Sequence, residues 1–352
     1  MSANVVELPP PTTGFKEDRP THGSAAVRGG RAAVAVLSLP AAALAALALH
    51  EFLPSRQSLP PTWTGSLPPW LHPYPVLLET LLAASLVVAA VQWAWRSLRP
   101  WVRHHAPLLA GAVVVGALWD LITFKMSWMR LPYFPGPDMV LGSLLEDRAL
   151  LFESTWHSLL LLLSGYSAGV VAGLVTGVLI GWFPRVRYWG MPVLKVVGPL
   201  PATALIPLVM TLSAHAFLSG TALIGFAVWF PVTMLTASGI ANVRLSYLDV
   251  ARTLGAGRLY LIFRVAVPAA LPHIFIGLFM GLGASFLTLI VAETVGVKAG
   301  LGWYLKWQQG YMEYAKVYAS LLIMVAFFST LMTLLFKVRD RVLRWQKGVI
   351  RW

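Results

Sequence analysis

Residues 156–182 read WHSLLLLLSGYSAGVVAGLVTGVLIGW and contain no aspartate, glutamate, lysine or arginine. A helix needs about 20 mainly apolar residues to cross the hydrocarbon core of a membrane, whereas barrel strands alternate apolar and polar residues over about ten. This run is continuous, and seven similar runs accompany it. The sequence therefore predicts an all-α polytopic membrane protein with eight spans: 32–49, 76–95, 108–124, 156–182, 193–212, 216–240, 269–292 and 318–336.

The composition supports this fold class and excludes others. Hydrophobic residues make up 57% of the chain and charged residues 12%, about half the charged fraction of an average soluble domain. In a soluble protein, the net charge of +13 would favour a nucleic-acid partner. In a membrane protein, it is explained by basic residues that concentrate on one side of the membrane. The chain has no cysteine, and its histidines lack zinc-binding spacing. We expect no nucleic-acid partner, no metal site and no catalytic residue.

The distribution of basic residues predicts the orientation. Twenty of the 27 lysines and arginines lie in the termini and in loops predicted to share their side of the membrane. Cytoplasmic segments hold an excess of Lys and Arg, so both termini are predicted to be cytoplasmic. Residues 1–30 are predicted to be a disordered cytoplasmic tail, because they lack apolar periodicity. Residues 338–352 are predicted to form a basic cytoplasmic tail. Binding of this tail to anionic lipid is favoured over its binding to a protein.

The fourth run carries a glycine at every fourth position. Small residues at this spacing form a ridge along one helix face, where a second backbone approaches closely. A seam for helix packing is therefore favoured over a substrate path. The glycines of this ridge are Gly165, Gly169, Gly173, Gly177 and Gly181.

The fifth run is interrupted by proline. Pro199, Pro201 and Pro207 fall within nine residues, and each proline removes a backbone hydrogen bond from a helix. Broken helices at membrane depth are tolerated where the freed carbonyl groups face protein or a water-filled path. The pattern favours an element that lines or gates a path, with a kinked packing helix as the alternative.

The loop between the sixth and seventh runs is predicted to contain a short helix. Ser246 and Asp249 have the spacing of a capping box at its start. Gly255 supplies a stop at its end.

This short helix is predicted to be amphipathic. Leu248, Ala251 and Leu254 share a helical stripe, and Arg252 and Arg258 offer polar contacts beside it. A stripe of this kind fits a groove on another protein. The alternative is a helix that lies on lipid headgroups.

The same loop resembles the cytoplasmic EAA loop of ABC importer permeases. That pattern reads Glu-Ala-Ala, three residues, Gly, nine residues, then aliphatic-x-aliphatic-Pro. This chain has Asp249-Val250-Ala251, Gly255 and Val265-Ala-Val267-Pro268 at the same spacing. Asp249 replaces Glu with the same charge sign, and Val250 replaces the first Ala with another apolar residue. Further stretches in the family order are 134–140, 199–207, 251–256, 267–272, 291–293 and 300–302.

The resemblance covers about residues 105–352 and is closest to the nitrate, sulfonate, taurine and bicarbonate branch. It implies a type I permease core of six helices at 105–337, with the coupling loop at 241–268 and two extra helices at 31–104. The residues implied to couple to an ATPase are Asp249, Ala251, Arg252, Leu254, Gly255 and Pro268. The candidates for the translocation path are Pro199, Pro201, Pro207, Trp229, Phe230, Phe286 and Glu293.

The resemblance thus implies the permease subunit of an ATP-driven importer in the bacterial inner membrane. The chain lacks GxxxxGK[ST], so ATP and magnesium are expected in a separate ATPase subunit, with no cofactor in this chain. Further implied partners are a second permease subunit, in a homodimer or heterodimer, and a periplasmic or lipid-anchored substrate-binding protein. The implied solute is small and anionic, although residues 212–220 depart from the outer loop of the branch. The alternatives are a membrane scaffold or sensor without transport and, third, a membrane enzyme.

Overall fold

The computed structural model describes residues 22–55, 72–198, 200–212, 215–297 and 299–346. Across these ranges the regular structure is helical, and no strand is present. The chain divides into two compact units, which are described separately. The described part of the first unit ends at Ser127, and that of the second begins at Trp128.

The predicted all-α, multi-pass fold is confirmed. Among the described residues, seven helices are long and apolar enough to cross a membrane. Seven of the eight predicted spans lie entirely or almost entirely within these helices. These helical spans are Ala35–Phe52, Pro73–Gln92, Arg99–Lys125, Arg148–Trp182, Ala216–Ala241, Arg258–Val295 and Tyr314–Val342.

The remaining predicted span, 193–212, is bent. It corresponds to Pro184–Val197 and Ala202–Val209, which meet at an angle of 80°, the geometry of a broken span or of a re-entrant loop. Pro207 is exposed within the second piece. Pro199 lies outside the described residues.

The first unit contains three long helices. Helix α1 packs against both of the others. A 3-10 turn at Arg96–Leu98 precedes α3, and a π-helical turn at Leu121–Lys125 continues it. The helices are α1 (His22–Phe52), α2 (Pro73–Ala94) and α3 (Arg99–Asp120).

Buried polar groups hold α1 to the end of α3. Nδ1 of His50 lies 2.9 Å from Oδ2 of the fully buried Asp120. Nζ of Lys125 donates to the carbonyl oxygens of His50 and Leu53, the last at 2.8 Å. A cation at the C-terminal end of a helix satisfies carbonyl groups that lack intrahelical partners. Helix α3 therefore belongs to the same compact unit as α1 and α2, while the predicted core boundary at residue 105 stays a prediction.

The second unit contains the remaining helices. A 3-10 turn at Ala202–Leu205 precedes α7, and a π-helical turn at Leu261–Ala266 joins α10 to α11. The helices are α4 (Pro137–Glu146), α5 (Arg148–Trp182), α6 (Pro184–Val197), α7 (Ile206–Leu212), α8 (Ala216–Ala241), α9 (Leu245–Thr253), α10 (Arg258–Tyr260), α11 (Val267–Val295), α12 (Leu301–Gly310) and α13 (Tyr314–Val342).

The glycine ridge of α5 faces α8 along its whole length. A Cβ atom at Gly169 would lie 2.5 Å from the carbonyl oxygen of Gly225 and 2.7 Å from Cβ of Val228. A Cβ atom at Gly173 would lie 2.8 Å from Cβ of Val232. No side chain fits at these positions, so the two backbones are in direct contact.

Helix α11 packs on α8 beside α5. A Cβ atom at Gly277 would lie 3.2 Å from the carbonyl oxygen of Pro231, and one at Gly281 would lie 3.1 Å from Cγ1 of Val228. Helix α8 thus contacts both α5 and α11, which also contact each other, and it is the central helix of the unit.

Replacing Gly169 with valine is expected to destabilise the second unit. The new side chain would overlap backbone atoms of α8, and overpacking of this kind costs about 1–3 kcal/mol. Thermal unfolding of the detergent-solubilised protein measures the effect. Gly283→Ala is the matched control, because a Cβ atom there meets nothing within 4 Å. Equal melting temperatures for the two variants would contradict the seam.

Candidate functional site

Residues 245–266 join α8 to α11, and we call them the coupling segment. Gly255 has φ +83°, and the N–H of Ala256 donates to the carbonyl oxygen of Ala251 at 3.0 Å. The N–H of Gly255 donates to the carbonyl oxygen of Arg252 at 2.9 Å. These bonds form a Schellman motif, so the predicted stop after α9 is confirmed. Beyond it, α10 and the π-helical turn lead directly into α11, which has Pro268 in its first turn.

The predicted capping box is wrong. No side chain caps α9, which begins at Leu245 and therefore holds Ser246 inside its first turn. Asp249 instead accepts a hydrogen bond from Nη1 of Arg252 at 3.0 Å. Both side chains of this ion pair are more than half exposed, so its contribution to stability is small.

The predicted stripe of Leu248, Ala251 and Leu254 does not form one exposed face. Leu248 is 8% exposed and turns toward the body of the unit, whereas Leu254 follows the last helical residue and is 83% exposed. Several apolar residues of the coupling segment are exposed, and we call Tyr247, Val250 and Leu254, on α9 and directly after it, the docking face. Its residues have helical spacing, but the stripe is rotated from the predicted one.

A basic cavity of about 730 Å³ lies beside the coupling segment. Arg185 and Arg187 line it from the start of α6, and Arg252 and Arg258 line it from the coupling segment. Leu248 also lines this cavity. The coupling segment and the junction of α5 with α6 therefore lie at the same end of the unit.

A second cavity, of about 350 Å³, lies between the corner of α6 and α7, α8 and α11, and we call it the central cavity. Two of the predicted path residues, Pro201 and Phe230, line it. The ring of Phe230 occupies the space beside Gly198, where a Cβ atom would overlap it. On α11 the sequence candidates were Phe286 and Glu293, whereas the residues of α11 that line the cavity are others that share helical spacing: Met280, Ala284, Leu287 and Thr288.

Two other predicted path residues face elsewhere. Nε1 of Trp229 donates to Oγ1 of Thr176 on α5 at 3.0 Å. The ring of Phe286 packs against α13, with its centroid 4.6 Å from that of Phe328. Neither side chain lines the central cavity.

Glu293 lies inside α11, not just beyond its end as the sequence suggested, and it is 1% exposed. Its Oε1 accepts from the hydroxyl group of Ser158 at 2.7 Å, and its Oε2 accepts from the N–H of Gly302 at 2.8 Å. The N–H of Leu301 donates to Oγ of Ser158 at 2.8 Å, so the hydroxyl hydrogen is left for Glu293. This Glu293 network joins α5, α11 and the start of α12.

Two glycines leave room for the Glu293 network. Gly300 has φ +104°, and a Cβ atom there would overlap the carboxyl group of Glu293. At Gly302 a Cβ atom would lie 2.8 Å from the carbonyl oxygen of Ile290. The first N–H groups of a helix lack intrahelical acceptors, and a carboxyl group at this end satisfies them. The path role of Glu293 stays a prediction.

A further contact fixes the other face of α12. The hydroxyl group of the fully buried Tyr304 donates to Oδ2 of Asp147 at 2.6 Å, and Nζ of Lys316 lies 3.5 Å from the same oxygen. Burial raises the pKa of Tyr304 above its ordinary value, and the hydrogen bond and charge of Asp147 add to this shift. The hydrogen bond from the phenol to Asp147 ties α12 to the start of α5.

The family of binding-protein-dependent transport system inner membrane components matches residues 169–345, which include the coupling segment, α8, α11 and the central cavity. The chain belongs to this family. It is therefore the permease subunit of an ABC importer and a multi-pass protein of the inner membrane. An importer of this family also needs an ATPase and a binding protein, and the permease itself is not the catalytic subunit.

Relatives match over most of their length. A protein of Brucella abortus named as a probable ABC transporter permease is 30% identical over 68% of this chain and 95% of its own. The taurine transport system permease protein TauC of Escherichia coli is 28% identical over 64% of this chain and 82% of its own. A solved inward-facing structure of the MetNI methionine ABC transporter is similar with a TM-score of 0.47 and 18% identity, covering 58% of this chain and 98% of that one.

Replacing Glu293 with alanine is expected to lower the free energy of unfolding by about 3 kcal/mol, since it removes two buried hydrogen bonds to a carboxyl group. Ser158→Ala is expected to cost less. The double variant should cost less than the sum of the two, because both residues belong to one network. Thermal unfolding in detergent measures all three variants. The control is Glu153→Ala, at an exposed glutamate of α5, and an equal loss there would contradict the role of the network.

Proposed function

We propose that this permease imports a small anionic solute of the nitrate, sulfonate, taurine or bicarbonate type. The observation that carries the proposal is the position of the coupling segment. It connects the two helices, α8 and α11, that border the central cavity. The name of the taurine relative and the resemblance to the anion branch support the class of solute.

The coupling segment can act as a lever. We propose that an ATPase subunit binds the docking face of Tyr247, Val250 and Leu254, and that its closure upon ATP binding displaces this face. Beyond Gly255 the chain is helical from Arg258 into α11, so the displacement is transmitted along the helix. Helix α5 follows α8 because the glycine seam locks the two together. The result is a rigid-body change in the width of the central cavity.

The lining of the central cavity indicates how solutes are selected. Among its described lining residues none is charged, and Thr203 and Thr288 supply the hydroxyl groups. A cavity of this kind holds an anion weakly, because little replaces the hydration shell. We infer that specificity resides in the substrate-binding protein and that the permease provides a path from which the anion leaves readily.

We further propose a pair of permease subunits, identical or different, with both termini of this chain in the cytoplasm. Arg185, Arg187, Arg252 and Arg258 come from two loops that the charge distribution assigned to the cytoplasm. Their meeting in one cavity supports that assignment. The coupling residues Asp249, Ala251, Arg252, Leu254, Gly255 and Pro268 would then all lie on the ATPase side.

Leu254→Asp is expected to weaken binding of the ATPase on the order of tenfold, because it places a charge in an apolar contact. Binding of the purified ATPase and uptake into vesicles are both measured. Val338→Asp on α13 is the control, since Val338 is 45% exposed and distant in sequence from the docking face. Equal ATPase binding by Leu254→Asp and the wild type would contradict the docking face.

Ala284→Trp is expected to abolish uptake while ATPase binding stays normal, because the indole group would fill much of the central cavity. Ile276→Trp on the exposed side of α11 is the matched control. Uptake of labelled taurine, sulfonate, nitrate and bicarbonate by the reconstituted importer is measured. Wild-type uptake by Ala284→Trp would exclude this cavity as the path. A complex that binds the ATPase but moves none of these anions would favour a scaffold or a different cargo.

A further inference from the structure

Two cavities of opposite character adjoin the corner between α5 and α6. Gly181 and Arg187 line the basic cavity. The residues directly before them, Ile180 and Val186, line an apolar groove. On each helix, two consecutive residues therefore line different cavities. A charged pocket and an apolar groove therefore lie side by side at one end of the unit.

The charges of the basic cavity are poorly compensated. Arg252 pairs with Asp249, whereas Arg185, Arg187 and Arg258 form no ion pair with any carboxyl group of the described residues. Guanidinium groups are the side chains that best fit the geometry of a phosphate group. Three such groups around about 730 Å³ make this cavity a site for an anion.

The apolar groove has the chemistry of an acyl-chain site. It has a volume of about 350 Å³ and is lined on α6 by Trp189, Val193 and Leu194. Its one hydroxyl-bearing residue, Thr176, already donates to the carbonyl oxygen of Ala172 at 2.7 Å and accepts from Trp229. The groove therefore offers no hydrogen bond to a polar ligand.

The position of this corner fits a membrane interface. Tyr188 and Trp189 are strongly exposed on α6, beside Arg187. Aromatic residues of this kind concentrate at the level of the headgroups, and arginines between spans on the cytoplasmic side bind acidic headgroups. The assignment of this corner to the cytoplasmic leaflet rests on the proposed function. The presence of the two cavities does not depend on that function.

We propose that the α5–α6 corner binds one anionic phospholipid, with its phosphate group on Arg185, Arg187 and Arg258 and one acyl chain in the groove beside Trp189. A free phosphate would account for the arginines but leave the groove without an occupant. An acidic surface of the ATPase would likewise leave the groove unused. The lipid uses both cavities, and it stands directly beside the coupling segment, where it braces Leu248 and Arg258 against α6.

Lipid binding by the full chain tests the proposal without transport. The purified permease is incubated with an equimolar mixture of phosphatidylglycerol and phosphatidylcholine with the same acyl chains, and retained lipid is counted by native mass spectrometry. The wild type is expected to retain one phosphatidylglycerol preferentially. Arg185→Gln/Arg187→Gln should reduce this retention about 25-fold, since each arginine near an anionic lipid contributes about fivefold. Val193→Trp should reduce it by filling the groove.

Matched controls separate the site from general attraction to acidic lipid. Arg130→Gln/Arg148→Gln removes the same charge from two exposed positions outside the basic cavity and should leave the preferential lipid in place. Val196→Trp adds the same side chain to an exposed position of α6 outside the groove lining. If the Arg130→Gln/Arg148→Gln variant loses as much phosphatidylglycerol as the corner variant, the site is refuted. Arg258→Gln on the opposite wall provides a second variant should the double variant fail to fold.

Competition distinguishes the sources of phosphate. Inorganic phosphate and glycerol 3-phosphate are expected to leave the retained phosphatidylglycerol in place. If they displace it, and if Val193→Trp has no effect, the cavity binds a soluble anion and the lipid proposal fails. If the corner variant retains the lipid but loses affinity for the ATPase, the arginines serve the ATPase and the proposal also fails. If a corner variant lost uptake but retained the lipid, the lipid proposal would fail and the proposed transport function would be unaffected.

Discussion

The direct backbone contact between α5 and α8 is the constraint on which the second unit depends. Lipid tails are as apolar as leucine, so spans associate where small residues allow many atoms to touch, not because apolar surface leaves water. The ridge from Gly165 to Gly181 supplies such contact along α5. It places α8 at the centre of the unit, and Gly277 and Gly281 bring α11 against α8 beside α5.

This central position links the two ends of the permease. Helix α8 leads into the coupling segment, the coupling segment leads into α11, and both helices border the central cavity. At the opposite end, the Glu293 network binds α11 to α5 and to α12. Helix α11 is therefore held at both ends, which supports the rigid-body movement proposed for the coupling segment.

Features that depend on local spacing or composition were predictable. The stop at Gly255 follows from a backbone conformation that glycine adopts without cost, and the spans follow from the length of the apolar runs. The predicted capping box is absent because α9 begins at Leu245, one residue before Ser246. Ser246 therefore lies inside the first turn of the helix and not at its N-cap. The stripe failed because Leu248 packs into the unit, whereas Leu254 follows the last helical residue, Thr253, and is exposed.

The sequence by itself determined the all-α membrane fold, the glycine ridge, the bent proline-rich span and, through the coupling loop, the family. The tertiary structure alone decided which side of each span faces the cavity. Phe230 lies on it, Phe286 packs against α13, and Glu293 turns to Ser158 and the start of α12. The physical reason is that α8 and α11 are apolar on nearly every side. A polar pattern therefore gives no direction around the helix axis, and the packing of the neighbouring helices sets it.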